Sequence, residues 1–209
     1  MVSTNLRTTK LVQLALFTAI IFIMAFTPIG YIKTPGLEIT LLVVPVAVGA
    51  IVLGPVTGAI LGAVFGLTSF IQCFGMSPFG ATLLGINAFG TFIVTMVPRI
   101  LMGWLTGLAF RGIKKFDRTN NISYAAASLA GPLLNTALFM GTLVLFFYRT
   151  DYIQGFADTL GTESVFTFIL AFVGVNGLIE AAVCFVLGTA ISKTLDVISR
   201  KTTANRKSM

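Results

Sequence analysis

Arg99 is the one basic side chain that falls deep inside an apolar stretch, in Val97-Pro98-Arg99-Ile100. Centring a guanidinium in hydrocarbon costs about 2.5–3.5 kcal/mol on insertion scales, so it needs a partner or a water-filled cavity. Its planar fork donates two parallel hydrogen bonds, a geometry suited to a carboxylate. Asn135 and Asn176 lie in two other apolar stretches. An Asn amide both donates and accepts, and so reads hydroxyls and amides. These residue types describe a site for a small anion that also carries amides or hydroxyls. Glu180, one helical turn beyond Asn176 on the same face, opens a second reading, a permanent Arg99–Glu180 pair. It also allows both at once, with Glu180 orienting the Arg. For the two Asn, interhelical hydrogen bonding is the rival role.

The elements that must hold these side chains are membrane helices. Of 209 residues, 56% are hydrophobic and 10% charged, which is too little charge to coat a soluble domain. Crossing ~30 Å of hydrocarbon takes roughly 20 residues, leaving room for about six spans with short loops. The expectation is an all-α membrane protein, one domain over 1–209, with six transmembrane helices at 11–28, 40–54, 56–73, 87–112, 121–148 and 165–193. Arg7 and Lys10 followed by an apolar run imitate a signal peptide. The run is long for one and lacks a small-residue cleavage pattern, so it reads as a retained first helix. Arg99 stands about 12 residues inward from Asn87, Asn135 about 13 from Tyr148, and Asn176 about 12 from Ser164. At ~1.5 Å per residue the three sit in one layer, roughly 18–20 Å below the outer face.

Charge sets the expected orientation. Arg7 and Lys10, then Arg111, Lys114, Lys115 and Arg118, then Lys193 and the basic tail from Arg200 to Lys207 fall on one side of a six-span chain. The other side holds Lys33 and Arg149 among Glu38, Asp151, Asp158 and Glu163. The positive-inside rule places both termini in the cytoplasm, in a multi-pass arrangement in a cytoplasmic membrane. The net charge of +7 is thereby topology, and no nucleic-acid partner is expected. There is no histidine and no span carries paired acids, so enzymatic acid–base or metal chemistry lacks its usual groups. No phosphate-binding loop of the G-x-x-x-x-G-K-[ST] type occurs, so ATP would have to be hydrolysed by a partner. Cys73 and Cys184 lie in apolar stretches and are read as packing residues.

Small residues recur at helical spacing: Gly54, Gly58, Gly62 and Gly66, then Gly103 and Gly107, then Ala15 and Ala19. In lipid such stripes let helices approach closely. The glycines are expected to pack within the bundle, whereas Ala15 and Ala19 also suit contact with another protein. Gly/Pro-rich loops at Pro28–Glu38 and Gln72–Gly80 suit a cover over a ligand. They make Tyr31, Phe70 and Gln72 candidate contacts, with interfacial anchoring as the alternative for any single aromatic.

Six short spans with Ala15-Leu16-Phe17-Thr18-Ala19 in the first resemble an S component, the substrate-binding subunit of an energy-coupling factor (ECF) vitamin importer of prokaryotes. The resemblance runs from about Lys10 to Lys193. Within that family the chain is most similar to the pantothenate-specific type, through LEITLLVVPVAVGAIVLGPVTGAILGAVFGLTSF from Leu37, VPRILMGWLTGLAF from Val97 and GPLLNTALFM from Gly131. The resemblance implies vitamin capture from outside and docking on a membrane coupling subunit with two ATPase subunits, which use the ATP and Mg. It further implies toppling of this subunit within the membrane. Ala15 and Ala19 would meet the coupling subunit, and Arg99, Asn135 and Asn176 the vitamin, whose one carboxylate, amide and two hydroxyls they match. The alternatives are an S component for another small carboxylate or vitamin, and a stand-alone secondary transporter with Glu180 as its coupling acid. Import by this chain alone on an ion gradient would mark the latter.

Overall fold

The computed structural model describes residues 2–33, 38–117, 122–195 and 197–198; the side chains of 2–7, 32, 33, 38, 39, 175 and 176 lie outside the described residues. The order is α1 (Val2–Ala25), a hairpin of β1 (Tyr31–Lys33) and β2 (Glu38–Thr40), α2 (Val43–Leu53), α3 (Pro55–Gln72), α4 (Pro78–Ile86), α5 (Ala88–Lys114), α6 (Ile122–Phe147), α7 (Asp151–Thr159) and α8 (Val165–Val183). A π-helical turn, Cys184–Gly188, carries α8 onward. Five stretches among the described residues are long and apolar enough to cross a membrane: Thr8–Ala25, Pro55–Gln72, Ala88–Lys114, Ile122–Phe147 and Gly177–Leu195.

The expected second span, 40–54, is shorter than expected. Thr40 belongs to β2, and α2 has only 11 residues, about 16 Å of helix, roughly half of the ~30 Å of hydrocarbon. Every residue from Val43 to Ile51 is buried, so α2 is a core helix enclosed by its neighbours. It packs Leu42, Val43 and Val46 against Phe17, Ile21, Leu61, Phe65 and Met102. The expected sixth span, 165–193, is interrupted at Gly174, whose φ of 33° and ψ of −126° break the helix. Only glycine takes such a conformation without a side-chain penalty.

Segments expected as loops carry structure. Tyr31 pairs with Thr40 across the antiparallel hairpin, Ile32 with Ile39 and Lys33 with Glu38; the Thr34-Pro35-Gly36 turn lies outside the described residues. Ser77 caps α4 by accepting from the Gly80 N–H at 3.4 Å, with Pro78 in the first turn where no amide is needed. Asn87 caps α5 through the Gly90 N–H at 2.9 Å. Ser164 and Thr167 form a reciprocal capping box on α8. In α7, Ile153 and Ala157 recur at i and i+4 and are buried, which is the mark of a surface helix lying on the bundle.

Within the bundle, α3 and α5 meet backbone to backbone. A methyl built on Gly58 would strike the Gly103 carbonyl, on Gly62 the Arg99 carbonyl, and on Gly66 the Thr95 carbonyl at 2.9 Å. The expected glycine stripe is therefore an internal seam, and it fixes the height of Arg99. Gly62→Ala should lower stability by about 1–3 kcal/mol, the ordinary cost of overpacking. Gly141→Ala on α6, where a Cβ meets nothing within 4 Å, should leave the melting temperature in detergent unchanged or slightly raised. Equal melting of both variants would show that the seam is not tight.

Candidate functional site

A cavity of about 410 Å³ opens between α3, α5, α6, α8 and the hairpin, with α4 and α7 contributing Phe79 and Tyr152 to its wall. Arg99, Asn135 and Glu180 all line it. Of the layer deduced by counting along three helices, Arg99 and Asn135 share this chamber.

The placement of Arg99 follows from its neighbour. Pro98 lies inside α5 and has no N–H, which strips the carbonyl of Val94, four residues earlier, of its usual helical partner. Arg99 Nη1 donates to that Val94 carbonyl at 2.6 Å. The guanidinium also stacks between two rings, 4.7 Å from the centroid of Phe139 and 5.4 Å from that of Phe65. Such contacts hold a cation in apolar surroundings. Arg99 is 9% exposed, and its Nε is buried without a hydrogen-bond partner among the described residues. One nitrogen repairs the helix, and another is unpartnered among the described residues, in a residue that lines the cavity.

Glu180 does not take it. Among the described residues Arg99 and Glu180 form no ion pair; instead Asn135 Nδ2 donates to Glu180 Oε1 at 3.3 Å. The reading of a permanent Arg99–Glu180 pair is therefore corrected: the acid is held by an amide from α6. Asn135 is buried, and its Oδ1 has no partner among the described residues.

The other candidates divide. Tyr31 lines the cavity from β1 beside Thr40, as their pairing requires. Gln72 also lines it, but its Nε2 donates to the Ala25 carbonyl and so ties α3 to the end of α1. Phe70 does not line the chamber. On α3 the inward positions are Phe65, Ser69, Gln72 and Cys73, and a 100° turn per residue sends Phe70 sideways, edge-on to Phe74 and Phe92 at 5.4 Å. The side chain of Asn176 lies outside the described residues, although its neighbour Gly177 reaches the cavity wall. Ala15 and Ala19 are exposed on α1, on the face away from buried Phe17 and Ile21. Cys73 and Cys184 are buried and unbridged.

Sequence reasoning passed over Phe65, Phe139, Thr40 and Tyr152. The aromatic pair had a signal: a cation without an acid beside it calls for rings at the same depth. Tyr152 had one too, since Tyr152, Ile153, Phe156 and Ala157 make an apolar face opposite Asp151 and Asp158.

A family model described as "ECF transporter, substrate-specific component" matches residues 9–192. The chain is 32% identical over 200 residues to the pantothenic acid transporter PanT of Lactococcus lactis subsp. cremoris, covering 87% of this chain and 91% of that protein. It is 27% identical over 207 residues to the pantothenate transporter PanT of Leuconostoc mesenteroides subsp. mesenteroides, covering 94% and 97%.

Proposed function

We propose that this chain, which belongs to the family of ECF transporter substrate-specific components, binds pantothenate in the Arg99 cavity as the first step of its uptake. The observation that carries the reading is Arg99 in the wall of a cavity of about 410 Å³, buried and with its Nε unpartnered among the described residues. A carboxylate satisfies it through a charge-assisted bond, and the amide and hydroxyls of pantothenate suit Asn135 and Glu180. Two relatives whose names specify pantothenate support that ligand over other vitamins.

The protein is a multi-pass membrane protein that works as a transport subunit. In this reading it crosses a prokaryotic cytoplasmic membrane with both termini inside, as the basic segments favour, and α2 stands as the short sixth helix of the bundle. A membrane coupling subunit receives it along the face of Ala15 and Ala19, and two partner ATPases use the ATP and Mg. The chain itself needs no cofactor.

Calorimetric titration of the purified chain with pantothenate, beside riboflavin, biotin and thiamine, tests the ligand. Saturable heat from pantothenate alone is expected. Saturation by another of the four, or by none, overturns the assignment while leaving the family membership in place.

A further inference from the structure

The two charged side chains in the cavity wall come from different helices, Arg99 from α5 and Glu180 from α8. From α5, Arg99 offers only donors, with its Nε buried and unpartnered. From α6 and α8 the wall offers acceptors. The Asn135 Nδ2–H points at the Glu180 carboxylate, so Glu180 stands there as an acceptor. The bond at 3.3 Å from Asn135 Nδ2 turns that amide so that its Oδ1 is the atom left over, buried without a partner among the described residues. Glu180 is itself 7% exposed and lines the cavity. A carboxylate has about four lone-pair sites, and one donor leaves most of them unused.

From this polarity we infer that Glu180 is the specificity-determining residue of the site: with Asn135 Oδ1 it accepts hydrogen bonds from the ligand's free hydroxyls, and it excludes the phosphomonoester of the same ligand. The inference rests on the pantothenate reading above. A ligand whose single carboxylate lies on Arg99 must turn its other end to these acceptors. Hydroxyl protons meet them well. A second anion there faces a buried carboxylate across a medium of low dielectric, where like charges repel far more strongly than in water. The same repulsion permits one orientation only, because the carboxylate end cannot lie against Glu180. The selected class is thus a hydroxylated monoanion.

The test needs three ligands and two proteins. The unchanged chain is titrated with pantothenate, with the analogue whose primary hydroxyl is replaced by hydrogen, and with the phosphomonoester of that hydroxyl. The deoxy analogue is expected to bind roughly 10- to 100-fold more weakly, the value of a hydrogen bond to a charged group. The phosphomonoester should bind at least ~100-fold more weakly. Glu180→Gln keeps an acceptor oxygen and removes the charge, and should narrow the gap between pantothenate and its phosphomonoester by about tenfold or more. Equal binding of pantothenate and its deoxy analogue to the unchanged chain overturns the inference and leaves the pantothenate reading standing. So does a Glu180→Gln chain that excludes the phosphomonoester as firmly as before. If that variant does not fold, the three ligands on the unchanged chain decide alone. An unchanged chain that binds no pantothenate removes the reading and the inference together.

Discussion

Arg99→Ala is expected to abolish pantothenate binding in the concentration range of a titration. Two charge-assisted hydrogen bonds at about 1.5–3 kcal/mol each amount to roughly 3–6 kcal/mol, or about 10²- to 10⁴-fold in affinity. The fold should survive. The variant loses a buried cation that was costly to desolvate, and the carbonyl of Val94, now served by Arg99, is left unpaired at about 1–3 kcal/mol. These effects oppose each other, so a modest change in detergent melting is expected beside a large change in binding. Arg99→Lys keeps the charge and loses the fork, and should bind roughly 10- to 100-fold more weakly than the unchanged chain. Unaltered affinity in a folded Arg99→Ala chain would remove Arg99 from the site.

A second large effect is expected at a surface that touches no ligand. Ala15 and Ala19 are exposed on α1, so an indole at either position meets no neighbour within this chain. Close approach of another helix depends on small residues there, and an inserted Trp holds the two apart. Ala15→Trp or Ala19→Trp should reduce pantothenate uptake by the complete transporter in proteoliposomes roughly 10- to 100-fold. Calorimetric affinity of the isolated chain should be unchanged. Loss of ligand binding in the isolated chain would mean that the alanines serve internal packing instead.

The parts of this molecule that sequence reasoning reached are those where lipid makes an error costly. Arg99, Asn135 and Glu180 stand out because a polar group in hydrocarbon must be matched. Counting along the chain set Arg99 and Asn135 at one depth because the rise of a helix is constant, and both line the cavity. The glycine seam was readable for a similar reason, since a bare stripe every four residues has few uses other than close packing. What escaped is what composition does not distinguish. A helix enclosed by protein and one facing lipid are equally apolar, so the burial of α2 and its short length were hidden. A 100° turn per residue makes the inward face depend on an exact boundary, and Phe70 was lost to that. Three-residue strands such as Tyr31–Lys33 have no pattern of their own and exist through their pairing. The break at Gly174 was hidden because a glycine in an apolar run reads equally as packing.

Phe79 on α4 bears on time as well as shape. Its ring lies 5.9 Å from that of Tyr152 and 6.4 Å from that of Phe156, both on α7. A ligand route that parts α4 from α7 must break both contacts, at about 0.5–1.5 kcal/mol each, which slows such an opening roughly 5- to 150-fold. On that route the same delay falls on arrival and departure, so the rings would lengthen the ligand's residence without tightening its equilibrium. A subunit that meets its ligand rarely, and must still hold it when a partner arrives, gains from a slow exit more than it loses from a slow entry.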